Sequence, residues 1–200
     1  MDRKENNLKI TFFSGVGTVT GANFMLESTK TKLLVDCGLV QGEPDAYEIN
    51  NRPFPYDPKT VNYLFITHAH LDHIGRVCKL VRDGFEGTIY STLETKEIAE
   101  EMFLDALKVM TMKEREIIDG TNQAPLYDAL DVEKAMSLWK VIPYHKDTKI
   151  NDEFSVHLKD AGHILGSASV EMLVSDKGAS DDPRALRLLF SGDIGPGEKS

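Results

Sequence analysis

The chain has 200 residues, 41% of them hydrophobic and 28% charged, with a formal net charge of −9. That balance fits one globular domain burying roughly 70% of its unfolded surface, and it excludes a disordered or fibrous chain. The acidic field also excludes capture of a polyanion by overall charge, so such a substrate would have to be held locally.

The first residues, Met1-Asp2-Arg3-Lys4-Glu5-Asn6-Asn7, are too polar for a secretory signal. No apolar run approaches the ~18 residues of a membrane span. Leu8–Phe13 reads as a strand, followed by a loop through Gly15, Gly17 and Gly21. Asn23–Ser28 and Lys32–Asp36 read as a hairpin, closed by the turn Asp36-Cys37-Gly38. Residues 41–60 hold Pro44, Pro53, Pro55 and Pro58 and are expected to lack regular structure. Tyr63–Thr67 is an apolar strand that runs straight into His68-Ala69-His70-Leu71-Asp72-His73. A helix over 73–83 should follow, ended by Gly84.

Gly87–Tyr90 reads as a further strand, and Ser91 with Glu94 as a capping box. The helix behind it carries Ile98, Met102, Phe103, Ala106, Leu107 and Met110 at helical spacing, which fits a cover for a sheet. A shorter helix after Asp131 places Val132, Ala135, Met136 and Trp139 on one face. Strands return with Phe154, Val156 and Leu158 alternating against polar residues, then Val170, Met172 and Val174. The last is Leu186–Phe190, after a turn over Ser175–Pro183. Strands at both ends with helices between them imply an α/β sandwich of two face-to-face sheets.

Three of the six histidines fall in the pattern His68-x-His70-x-Asp72-His73. Such a pattern arises by chance in about 4 of 10,000 chains of this composition. His68 and His70 are two apart on extended backbone and can point the same way. Asp72 and His73 lie where a helix begins and can face a second point. One segment thus offers N and O donors to two neighbouring ions, with zinc best suited and manganese or iron as alternatives. His163, in Asp160-Ala161-Gly162-His163-Ile164-Leu165-Gly166-Ser167-Ala168, and Asp193, in Ser191-Gly192-Asp193-Ile194-Gly195, lie in strand-end loops where sites gather. Cys37 and Cys78 are too few for a disulfide framework and read as reduced, buried small hydrophobes. His145 and His157 read as surface residues.

Together these residues resemble the metallo-β-lactamase superfamily. The segments Ala161-Gly162-His163-Ile164-Leu165-Gly166-Ser167-Ala168 and Phe190-Ser191-Gly192-Asp193-Ile194-Gly195 are most similar to its β-CASP RNA-processing nucleases, such as the cleavage and polyadenylation endonuclease and ribonuclease J. The resemblance implies a four-layer αββα sandwich, incomplete at its C-terminal end over residues 1–200. It also implies one ion on His68, His70 and His163, a second on Asp72 and His73, and Asp193 bridging both. Asp72 and Asp193 would be the catalytic carboxylates, and Asp36 a supporting residue beneath the site. The implied reaction is phosphodiester hydrolysis of RNA by a metal-bound hydroxide, in the cytoplasm. The implied setting is a homodimer or an RNA-processing complex, with no membrane partner. The alternatives are a thioester or lactone hydrolase of the same fold and a non-catalytic scaffold. Full β-CASP enzymes carry an inserted domain and a C-terminal return with a further histidine. No histidine follows residue 163, so the chain is expected to be a fragment that cleaves RNA poorly by itself.

Overall fold

The computed structural model describes residues 8–115, 124–175 and 185–196. Within them the strands form two sheets. The first contains β1 (Lys9–Ser14), β2 (Asn23–Glu27), β3 (Lys32–Val35), β4 (Tyr63–Phe65), β5 (Thr88–Ser91) and β6 (Trp139–Val141), in sequence order. β1, β2 and β3 pair antiparallel, whereas β3 to β6 run parallel. The second contains β7 (Thr148–Lys149), β8 (Phe154–Asp160), β9 (Ala168–Val174) and β10 (Leu186–Phe190), all antiparallel, in the order β10-β9-β8-β7.

Strand side chains alternate between faces, and the apolar residues obey that alternation. Leu26, Leu33, Val35 and Phe65 of the first sheet meet Phe154, Val156, Leu158, Val170 and Met172 of the second in one buried cluster. Met25, Leu34, Leu64 and Ile89 point the other way. They pack with helices α3 (Val77–Arg82), α4 (Leu93–Arg115) and α5 (Ala129–Ser137) in a second cluster. Each fully buried Leu or Phe contributes about 1.5–3 kcal/mol. The layers are therefore helices, first sheet, second sheet, as the alternation at 154–158 and 170–174 requires. Among the described residues no helix lies on the outer face of the second sheet. None is long and apolar enough to cross a membrane.

Several local expectations need correction. Residues 41–60 do contain regular structure, namely helix α1 (Ala46–Asn51) and a 3-10 turn at Pro58–Thr60. The prolines bracket α1, and the buried Asn50 side chain locks the segment by bonding both Val40 N and Val40 O. The helix expected over 73–83 is two, α2 (Leu71–Ile74) and α3. The carbonyl that Arg76 N would use in a continuous helix, on Asp72, instead accepts from Ala22 N at 2.9 Å; Arg76 N turns to Cys37 O. Thr92, not Ser91, caps α4, its hydroxyl accepting from Thr95 N. Ser91 accepts from the Trp139 indole. Trp139 lies on β6 rather than on the helical face, because α5 starts earlier, with a capping box between Asp128 and Asp131. The 28–31 turn closes the β2–β3 hairpin, and Asp36-Cys37-Gly38 follows it. Apart from Ser175, the expected turn over Ser175–Pro183 lies outside the described residues.

Candidate metal centre

The site lies where β3, β4, β8 and β10 end. Asp36 follows β3 in the left-handed region at φ +58°, a conformation Asp tolerates better than most residues. β4 leads into Thr67 and His68; His70 caps the start of α2, which carries Asp72 and His73. His163 comes from the β8–β9 loop and Asp193 from the loop after β10.

Two glycines let these loops meet. A Cβ on Gly192 would press on the Thr67 side chain at 2.8 Å, and one on Gly195 would stand 1.6 Å from Gly162 O. Gly195 N bonds Ala161 O, and Ala168 N bonds Thr67 O, so the two sheets are tied at the site itself.

His68 Nε2 lies 3.1 Å from His70 Nδ1, and His163 Nε2 lies 3.2 Å from that same atom. One carboxylate oxygen of Asp193 approaches His68 Nε2 at 3.9 Å and His163 Nε2 at 3.7 Å. One ligand atom from each of these four residues lies within 4.8 Å of the other three. Donors bound at roughly 2.0–2.1 Å around a tetrahedral ion stand roughly 3.3 Å apart. The donor set therefore fits a divalent metal cation. The other Asp193 oxygen faces His73 Nε2 at 3.4 Å, and Asp72 lies 3.9 Å from that nitrogen. The Asp193 carboxylate is turned to both groups of donors, with 47% of its side chain exposed.

Beneath these donors sits a buried hydrogen-bond hub. Asp36 Oδ1 accepts from Thr67 N, and Oδ2 accepts from Thr67 Oγ1 and His73 Nδ1, each at 2.8 Å. The Thr67 hydroxyl proton is spent on Asp36, so its oxygen accepts from His68 Nδ1 at 3.0 Å. These partners place the imidazole protons of His68 and His73 on Nδ1 and leave both Nε2 lone pairs toward the site. Burial, with His73, His70 and His163 nearby, drives the His68 pKa down to about 2, so its ring is neutral. Burial alone would also depress His73. Asp36, through charge and hydrogen bond, then Asp72 and Asp193, outweighs it and raises the pKa.

All six residues of the expected ligand set lie at this one place. Cys37 and Cys78 are buried and free, and burial raises the Cys37 thiol to about 12. His145 is exposed, and the half-buried His157 pairs with Asp147 at 2.7 Å, away from the site. Sequence reasoning missed Thr67 and Ser167. Ser167 Oγ accepts from His163 N and Ile164 N, shaping the turn that presents His163. Gly166 O in that turn accepts from the hydroxyls of Thr92 and Thr95, which fixes it to the start of α4. Thr67 directly precedes the histidine pattern, and Ser167 lies inside the Gly-Ser-Ala segment. Their positions were the available signal. Beside Asp193 opens a cavity of about 460 Å³, walled by Phe12, Val19 and Phe24 and floored by Thr67 and His73; among the described residues no Lys or Arg lines it.

Residues 16–199 match the sequence profile of the Metallo-beta-lactamase superfamily. The chain is 35% identical over 192 residues to Ribonuclease TTHA0252 of Thermus thermophilus, covering 96% of this chain and 39% of that protein. It is 32% identical over 192 residues to Transcription termination factor FttA of Cenarchaeum symbiosum, covering 94% of this chain and 27% of that protein. The chain thus spans well under half the length of either relative. Among solved structures, the subclass B3 metallo-beta-lactamase BJP-1 of Bradyrhizobium japonicum superposes with a TM-score of 0.51. That match has 17% identity over 92% of this chain and 59% of the other, a likeness of fold.

Proposed function

The chain belongs to the metallo-β-lactamase superfamily, and from that premise we propose that it is the metal-holding part of a hydrolase that cleaves phosphodiester bonds in RNA. The carrying observation is the convergence of His68, His70, His163 and Asp193 on one point, with the second Asp193 oxygen turned to His73. The likeness to a ribonuclease and a termination factor supports RNA as substrate, as do the β-CASP-like segments around His163 and Asp193. The small share of each relative covered supports a place within a longer polypeptide. That polypeptide would act in the cytoplasm, as a homodimer or within an RNA-processing complex.

His68, His70 and His163 would hold one zinc ion, Asp72 and His73 a second, and Asp193 would serve both. Divalent ions bound there would polarise phosphoryl oxygens and bring the pKa of water to about 7. The protein's own contribution is orientation. Asp36 and Thr67 keep the Nε2 lone pairs of His68 and His73 aimed at the centre, and Asp193 links the two halves across sheets. Among the described residues no cationic side chain lines the adjoining cavity, so a phosphate would find its positive charge at the metal centre itself.

Elemental analysis after dialysis tests the ligand set. The chain should retain nearer one metal than two, because the Asp72–His73 half has fewer protein donors, and His163→Ala should lower that content. The encoded reading frame is then assayed on single-stranded RNA and on a thioester, with zinc and with manganese. Metal-dependent RNA scission that Asp193→Asn abolishes is expected. Thioester turnover without RNA scission would overturn the proposal.

A further inference from the structure

We propose that Arg76, which lies outside the ligand set, is a positioning residue for the Asp72–His73 half of the centre. The proposal deepens the reading of those two residues given above. Arg76 is buried at 8% exposure, and among the described residues no carboxylate stands within ion-pair distance of it. A buried cation without an anionic partner is costly unless its donors are well used. Here Nε donates to Gly38 O at 2.7 Å, while the guanidinium lies over the Phe54 ring, 5.2 Å from its centroid. The backbone N of Arg76 donates to Cys37 O at 2.9 Å. Arg76 therefore grips two successive carbonyls of one turn.

That turn is in direct contact with the half-site. Cys37 N bonds His73 O at 2.8 Å, and Leu39 N bonds Leu71 O at 2.9 Å. A Cβ on Gly38 would stand 1.6 Å from Asp72 O and 2.8 Å from His73 N, so nothing separates the turn from the peptide joining the two ligands. Asp36, one residue before the gripped carbonyls, holds His73 Nδ1. A shift of the turn would move Asp36 and the Asp72–His73 backbone together. Among the described residues, His70 and His163 make no hydrogen bond to the turn, and His68 reaches it through Thr67. Loss of Arg76 should therefore loosen one half of the centre selectively. Lysine cannot replace it, because an ammonium lacks the planar fork that bonds a carbonyl while stacking on a ring.

The test compares Arg76→Lys and Arg76→Met with Lys79→Met, since Lys79 also lies over Phe54 but pairs with Asp83. Amide hydrogen exchange of the metal-free chain should speed up at least tenfold at Cys37, Gly38 and Leu39 in both Arg76 variants, with β8 and β9 amides unchanged. The His73 Nδ1 proton resonance should broaden. In a manganese(II) titration the second ion should weaken about tenfold and the first by less than threefold. Lys79→Met should change none of these. Unchanged exchange at 37–39, uniform acceleration throughout, or equal loss of both ions would each overturn the proposal. If even the wild-type chain takes no second ion, the two-ion reading fails, and the exchange data still decide whether Arg76 holds the turn. If Arg76→Met does not fold, Arg76→Lys, which keeps the charge and most of the volume, carries the test.

Discussion

Asp36→Asn exchanges one carboxylate oxygen for an amide nitrogen at a point where every incoming group is a donor. Thr67 N, Thr67 Oγ1 and His73 Nδ1 all reach Asp36 at 2.8 Å. Asn adopts the left-handed backbone of this position as readily as Asp, so the change adds no backbone strain. Its remaining oxygen can keep the bond from Thr67 N. Its amide nitrogen then faces His73 Nδ1, and two donors cannot bond. The available relief is for His73 to move its proton to Nε2, the atom that faces Asp72 and Asp193. A protonated Nε2 has no lone pair for an ion. Loss of such a supporting partner typically lowers metal affinity 10- to 100-fold, or about 1.4–2.8 kcal/mol. A buried donor left unpaired costs about 1–3 kcal/mol of stability, which lowers Tm by roughly 2–12 °C in a domain of this size. Manganese titration, thermal unfolding and imidazole nitrogen shifts would read the three effects separately. Unchanged metal affinity in a cooperatively folded variant would refute the reasoning and leave Asp36 as a turn residue only.

Two further outcomes are expected. Ser167→Ala removes the acceptor shared by His163 N and Ile164 N and should cost about 1–3 kcal/mol in denaturant unfolding, with weaker binding of the first metal ion; no change in either would show that the turn holds its shape without the hydroxyl. Glu171 is held below its ordinary pKa by hydrogen bonds from Lys159, then Arg187, so its contribution is present above about pH 4.5 and lost as pH falls through the depressed value; Glu171→Gln should lower stability by at most about 1 kcal/mol at pH 7 and by nothing at pH 2, and an equal loss at both would contradict the charge assignment.

The parts of this molecule legible in its sequence are those set by neighbours in the chain. The apolar alternation of Phe154, Val156 and Leu158 requires only that one sheet face be buried, and it is. The pattern from His68 to His73 gathers four potential donors within six residues by its spacing. The illegible parts are decided at a distance. Nothing local marks the break between α2 and α3, because it depends on Ala22 taking the Asp72 carbonyl from Arg76. β6, of 3 residues, and β7, of 2, are too brief to carry a period. The capping of α4 by Thr92 rather than Ser91 follows from Trp139, 48 residues on, claiming the Ser91 hydroxyl.

Thr67 shows why such a centre is built where the two sheets meet. Its carbonyl takes Ala168 N of the second sheet, and its side chain packs beside Gly192, which leads into Asp193. Its hydroxyl joins Asp36 to His68. The donors therefore come from segments that are adjacent only when both sheets are stacked, since His68 to His73 belong to one sheet and His163 and Asp193 to loops of the other. An unfolded chain cannot bring these groups together, so an ion held by all of them binds the folded state and stabilises it by its own binding free energy. The burial that drives the His68 pKa down also keeps its imidazole neutral and ready to ligate. The same packing that joins the two sheets thus prepares the donors, which explains how an acidic chain can present a cation-binding centre as part of its fold.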